Sequence, residues 1–352
     1  MSLGTDTEVL YTQLKKKLQD VVPDVELRIK AELASRINVL KTKKNAVILG
    51  HNYMEAALYH SIPDFTGDSL ELCRKAAQTE KDIIVFCGVR FMAETAKILN
   101  PAKTVLLPTP KGGCSLAESI TAEDVRNLRA RYPGVPIVTY VNTYAEVKAE
   151  SDICCTSGNA AKVVESLDTE KVIFLPDEYL AKNTAMETGK RIIFPTRVPR
   201  SAGSESNLEN LQYELIGWEG RCEVHEQFNV EDIKTVRRQF PDVVVLAHPE
   251  CSPEVVQESD FSGSTSAMVR YVEKTTAPRY LLLTECSMGD NIAASNPKKE
   301  LLRLCSIRCP HMGEITLEDT LAALEKNQYV VDVDEEIRNK SLQAVERMIS
   351  IG

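Results

Sequence analysis

The feature that most narrows the fold is a recurrence. Three stretches of the chain pass through the same order of parts, although they share few identical residues. Each opens on a short apolar run: AVILG at 46–50, IVTYV at 137–141 and VVVLA at 243–247. A polar triplet follows at once: His51-Asn52-Tyr53, Asn142-Thr143-Tyr144 and His248-Pro249-Glu250. Beyond a helical segment comes an Asp, a short apolar piece and a Gly/Ser/Thr turn, in Asp64 to Ser69, Asp152 to Gly158 and Asp260 to Ser266. Each turn opens an amphipathic helix pattern, LELCRKAA, NAAKVVESL or AMVRYVEK. A further apolar run is then found at 83–88, 172–176 and 280–284, and a last one at 104–108 and 191–195. In the third copy only LLRLC near 301–305 answers to that last run. Short Val/Ile/Leu runs alternating with helices predict parallel sheets in α/β layers.

The expected fold class is therefore α/β, with three α/β units whose small parallel sheets surround a central cleft. A length of 352 residues calls for more than one core. The boundaries expected are 43–120, 121–228 and 229–312 for the three units. Residues 1–42 form a helical cover on the first unit, and 313–352 pack back onto it as C-terminal helices. Parallel strands present their following loops on one sheet edge, where α/β proteins bind ligands. The polar stretch from Thr196 to Gly217 reads as a surface excursion or a lid near Cys222.

A net charge of -9 gives no support to a nucleic-acid binder. No apolar run is long enough to span a membrane, and the N-terminus lacks the apolar core of a signal peptide. A cytoplasmic location is expected, which argues against a disulfide framework for the ten cysteines. Cys73, Cys87, Cys154 and Cys155 read as small buried hydrophobes. Cys251 and Cys286 lie at strand ends and stay open. Cys114 in KGGCSLAES, Cys222 in GRCEVHEQF and Cys309 in RCPHM lie in loops, one closing each unit.

Three loop thiols suit a soft metal site. Structural zinc favours CxxC pairs, which this chain lacks, and Cys305 with Cys309 makes only a CxxxC pair beside His311. An iron-sulfur cubane takes four cysteines as a rule; three leave one iron open as a Lewis acid. Spacing alone leaves cluster and zinc both open. The Gly/Ser/Thr turns at helix starts suit an anion bearing several acidic groups, and taken singly each is an ordinary N-cap. His51, Tyr53, Tyr140, Asn142, His248 and Glu250 gather at the ends of first strands, where titratable groups serve acid/base chemistry. GDSL at 67–70 imitates a hydrolase nucleophile motif, but no histidine here follows an Asp-x-x spacing.

Taken together, HNY at 51–53, GDSLE at 67–71, GVRFMAETAKIL at 88–99, KGGCSLAE at 111–118, YVNT at 140–143, CTSGNA at 155–160, GRCEVHEQF at 220–228, HPEC at 248–251, GSTS at 263–266, TECSM at 284–288 and CPHM at 309–312 resemble the quinolinate synthase family. The resemblance runs from about residue 41 to the C-terminus. It implies a pseudo-threefold set of three α/β domains around a 4Fe-4S cluster held by Cys114, Cys222 and Cys309. It also implies condensation of iminoaspartate with dihydroxyacetone phosphate to quinolinate, in NAD biosynthesis, with the cluster acting as a Lewis acid. By the same matching, His51, Tyr140, Asn142, His248 and Glu250 fall on active-site positions, with Glu250 and Tyr140 moving protons. Ser69, Ser157 and Thr265 fall on substrate-anion positions with Ser264 beside them, while His225 and Met312 flank the cluster. The CxxCxxC thiol switch of some members does not carry over to Cys305-Ser306-Ile307-Arg308-Cys309. A functional link to an iminoaspartate-producing oxidase or dehydrogenase follows from the resemblance only. A cluster-bearing regulator that binds an anionic metabolite without turnover is the alternative reading, and a zinc hydrolase is a third.

Overall fold

The computed structural model describes residues 3–195, 212–304 and 307–351. Two helices, α1 (Leu3–Leu18) and α2 (Asp24–Lys43), pack on each other. Helix α2 buries Leu27, Ala31, Ala34 and Ile37, one helical face, toward the first sheet. The first unit runs β1 (Ala46–His51), α3 (Ala56–Tyr59), β2 (Phe65–Gly67), α4 (Ser69–Gln78), β3 (Ile83–Cys87), α5 (Arg90–Leu99) and β4 (Thr104–Leu106). After α6 (Ser115–Glu118) and α7 (Ala122–Arg131), the second runs β5 (Ile137–Tyr140), α8 (Ala145–Ala149), β6 (Ile153–Cys155), α9 (Ala160–Glu165), β7 (Val172–Leu175), α10 (Glu178–Glu187), β8 (Ile192–Ile193) and β9 (Leu215–Gly217). Helix α11 (Val230–Gln239) leads to the third: β10 (Val244–Ala247), α12 (Pro253–Glu258), β11 (Phe261–Ser262), α13 (Thr265–Lys274), β12 (Arg279–Leu283), α14 (Cys286–Ser295) and β13 (Glu300–Arg303). Helices α15 (Leu317–Lys326) and α16 (Glu335–Ser350) close the chain.

The fold is α/β, with three small parallel sheets flanked by helices. Their strand orders are β2-β1-β3-β4, β6-β5-β7-β9-β8 and β11-β10-β12-β13, so the first and third share one topology. The second differs by one inserted strand. The run at 191–195, read as the last strand of the second unit, supplies the edge strand β8, and β9 takes the place beside β7. Leu215–Gly217 thus leave the polar stretch for the sheet interior; 196–211 lie outside the described residues, as does Cys305 at the end of the weak third-unit run.

The apolar strands are continuous because both faces of each sheet are covered. In β12, Leu281 and Leu283 enter one cluster with Val245 and Ala247, while Tyr280 and Leu282 enter another with Leu246. Strand β7 divides in the same way, Ile173 and Leu175 against Val172 and Phe174.

The recurring Asp has a structural task. The carboxylates of Asp64, Asp152 and Asp260 accept the first-strand amides of Ile48, Ile137 and Val245 at 2.9, 2.8 and 2.7 Å. Their own amides donate to the carbonyls of those same three residues at 2.8, 3.0 and 2.9 Å. Each Asp therefore clamps the start of the second strand to the first and fixes where the Gly/Ser/Thr turn emerges.

Candidate active site

Parallel register puts two loops of every unit on the carboxyl edge of its sheet. The loops after β1, β5 and β10 carry Tyr53, Asn142, and His248 and Glu250, with His51 and Tyr140 the last residues of β1 and β5. Those after β2, β6 and β11 carry the Gly/Ser/Thr turns. All three edges meet at one concave cavity, the usual form of a small-molecule site. His51, Ser69, Tyr140, Asn142, Ser157, His248, Glu250 and Thr265 line it, together with Cys114, Cys222 and Cys309. Ser264 does not. Its hydroxyl caps α13 and donates to Asp68 at 2.8 Å, and it borders the adjoining groove between α10 and α13 instead.

The three cysteine loops are built alike. The carbonyls of Gly112, Gly220 and Ile307, each two residues before the cysteine, accept the amides of Arg90, Glu178 and Cys286 at 2.7, 2.8 and 3.1 Å. Those amides open α5, α10 and α14, so each loop docks at the end of its unit's third strand. Past the cysteine, each sulfur is met by backbone amides two and three residues on: Leu116 and Ala117, Val224 and His225, His311 and Met312. Ile120, Phe228 and Ile315 are then buried, and Thr121, Asn229 and Thr316 cap the next helix. Gly220 is required by close approach, since a Cβ there would stand 2.5 Å from the carbonyl oxygen of Pro176.

A hydrogen-bonded chain crosses the cavity. Glu250 accepts Tyr140 O–H at 2.6 Å and Asn142 Nδ2 at 3.3 Å on Oε1, and lies 2.8 Å from His225 Nδ1 through Oε2. An ionised carboxylate only accepts, so His225 presents an Nδ1–H to it, and its Nε2 lies 3.0 Å from the Thr284 hydroxyl. Thr284 also meets Tyr53 O–H at 2.6 Å, and His248 stacks on His225 at 4.6 Å. The atoms of Cys222, His225 and Glu250 approach within 4.8 Å of one another, a possible three-donor metal group. Burial holds His51 down to about 4 and His248 to about 3, so both are neutral at pH 7. For Glu250 burial opposes ionisation, but the direct contact with His225 and the Tyr140 hydrogen bond outweigh it and keep the carboxyl below its usual range.

The family model for the quinolinate synthetase A protein (NadA) matches residues 35–350. The chain belongs to that family. Quinolinate synthase 2 of Mesorhizobium japonicum is 53% identical over 338 residues, 96% of this chain and 97% of the relative. Quinolinate synthase of Agrobacterium fabrum is 51% identical over 344 residues, 98% and 93% respectively. The Xylella fastidiosa enzyme of the same name is 53% identical over 312 residues, 89% and 85%.

Burial pushes the Cys114 thiol up to about 12 and Cys309 to about 11, and raises Cys222 as well. Cys73, Cys87, Cys154, Cys155, Cys251 and Cys286 are buried, whereas the three loop cysteines are only partly so. Sequence reading missed Asp68, which caps α4 and lines the cavity, and Thr284, which holds Tyr53 and His225. It also missed a legible signal: seven residues after each loop cysteine stands Thr121, Asn229 or Thr316, with an Asp three further on. No helix among the described residues is long and apolar enough to cross a membrane.

Proposed function

We propose that the chain condenses iminoaspartate with dihydroxyacetone phosphate to quinolinate, releasing phosphate and water, as a cytoplasmic transferase of NAD biosynthesis. The observation that carries this reading is the convergence of three equivalent cysteine loops on the cavity that also holds the Tyr140–Glu250 pair. Cys114, Cys222 and Cys309 are the ligands of a 4Fe-4S cluster. The donor set fits: one thiol comes from each unit, and paired backbone amides aimed at each sulfur favour the thiolate. When bound, the cluster supplies a Lewis-acidic iron without a protein ligand.

The chain's own residues do the rest. The first-turn amides of α4 and α13, at Ser69 and Thr265, favour phosphate or carboxylate through unpaired N–H groups, and the Ser157 turn adds a third contact. Neutral His51 and His248 donate or accept hydrogen bonds without adding charge beside the anionic substrates. Glu250 takes up a proton at a carboxylate oxygen as the enamine forms, and Tyr140 passes its hydroxyl proton to the departing hydroxyl. Asn142 orients Oε1 of Glu250, and the Tyr53–Thr284–His225 chain holds Oε2.

The test is an assay for quinolinate on protein purified without air, with iron and sulfide measured on the same sample. Product formed by protein with about four irons per chain supports the reading. A colourless preparation with full activity, or iron-loaded protein that binds but never converts the two substrates, overturns it.

A further inference from the structure

We propose that the last turn of α16 is a brace setting the Ser157 turn against the Ser69 helix, with Asn159 as the positioning residue through which it acts. The inference rests on the reading of Ser69 and Ser157 as substrate-anion positions. Asn159 is 2% exposed and has both ends of its amide engaged. Its Oδ1 accepts Thr156 N at 2.7 Å and Thr156 Oγ1 at 3.1 Å, shaping the turn that presents Ser157. Its Nδ2 donates to the carbonyls of Met348 at 3.1 Å and Ile351 at 2.8 Å.

The final carbonyls of a helix have no partner within it and need one from outside. Here they are taken by two units at once. Arg74, on the same helix α4 that opens at Ser69, donates to Ile349 O through Nε at 3.3 Å and Nη2 at 2.9 Å. Arg347 reaches back to Asp152 O at 2.9 Å, behind the second unit's turn. Helix α16 itself lies against α5 of the first unit and against α8 and β6 of the second. Its end is therefore a rigid link between two turns that face the cavity. The third unit's turn is joined to the first directly, by Ser264 on Asp68 and by Asn52 on Thr265 at 2.9 Å.

Asn159→Asp separates the two halves of the residue. The acceptor toward Thr156 survives, while the donor to Met348 and Ile351 is lost and a carboxylate faces their carbonyls. Arg74→Met cuts the other end of the brace. For each variant the KM of one anionic substrate is expected to rise about tenfold with kcat within about twofold, and iron content to stay at the wild-type level. Amide hydrogen exchange at 156–158, measured without substrate, should quicken by about tenfold. Where Asn159→Asp does not fold, Arg74→Met carries the same expectations. Folded variants with wild-type KM and unchanged exchange overturn the brace, as does a fall in kcat alone. The exchange readout decides the brace even if the wild-type chain forms no quinolinate, a result that would sink the proposed function instead.

Discussion

Replacing Glu250 by Gln removes the one carboxylate that meets Tyr140, Asn142 and His225 together, and it does so at nearly constant shape. The side chain is 4% exposed, so water cannot stand in for the lost acceptor. One amide end still accepts from Tyr140 or His225, and the other becomes a donor against a partner that can rotate its hydroxyl or change tautomer. The fold should therefore lose no more than about 1.5–3 kcal/mol, the range for a hydrogen bond to a charged group. Chemistry should suffer more. Loss of a positioned general base costs about 10²–10⁴ in rate, equivalent to about 3–5 kcal/mol of barrier. Steady-state quinolinate formation, read beside iron content and thermal midpoint, separates the two effects. Turnover within about fivefold of wild type in an iron-replete variant, well short of a general-base loss, would refute the assignment of proton transfer to Glu250.

Two further outcomes follow from the geometry. Gly220→Ala drives a Cβ to 2.5 Å from Pro176 O and from Ser119 Oγ, two residues before Cys222; iron per chain should fall while far-ultraviolet circular dichroism stays close to wild type, and full iron content would show that the loop yields freely. The folded His51, held to about 4 against a free value of 6.5, binds its proton later than the unfolded chain does; stability is complete above pH 6.5 and lost as pH falls toward 4, by up to about 3 kcal/mol for this residue. Denaturant midpoints between pH 7 and 5 should drop less steeply in His51→Asn, and parallel slopes would contradict the buried neutral imidazole.

Much of this architecture could be read from residue order, for a physical reason. Strands buried on both faces leave apolar runs such as VVVLA and YLLLT that need no periodicity to be seen, and Asp64, Asp152 and Asp260 recur because each must satisfy one first-strand amide. Strand β9 was hidden because three residues, Leu215–Gly217, are too few to set a pattern after a polar stretch. Asp68, Thr284 and Asn159 were hidden because the partners that tie them to the site, Ser264, His225 and Met348, lie far away in the chain and leave no local spacing. The loop cysteines stood out by type, but what makes them equivalent is backbone: the carbonyl two residues before each and the amides just after it. Helix α16 looks like an ordinary amphipathic segment, and its packing on α5, α8 and β6, with the capture of its last carbonyls by Asn159 and Arg74, reveals that it ties two units together.

The central claim is that the thiols at 114, 222 and 309 hold a single inorganic centre, and the most direct measurement is iron and sulfide content of the wild-type chain and of each single Cys→Ser variant, all prepared without air. The account predicts about four irons per wild-type chain and near-complete loss in every one of the three variants, with Cys251→Ser retaining the wild-type content. A full complement of iron in any one of the Cys114, Cys222 or Cys309 variants would contradict it.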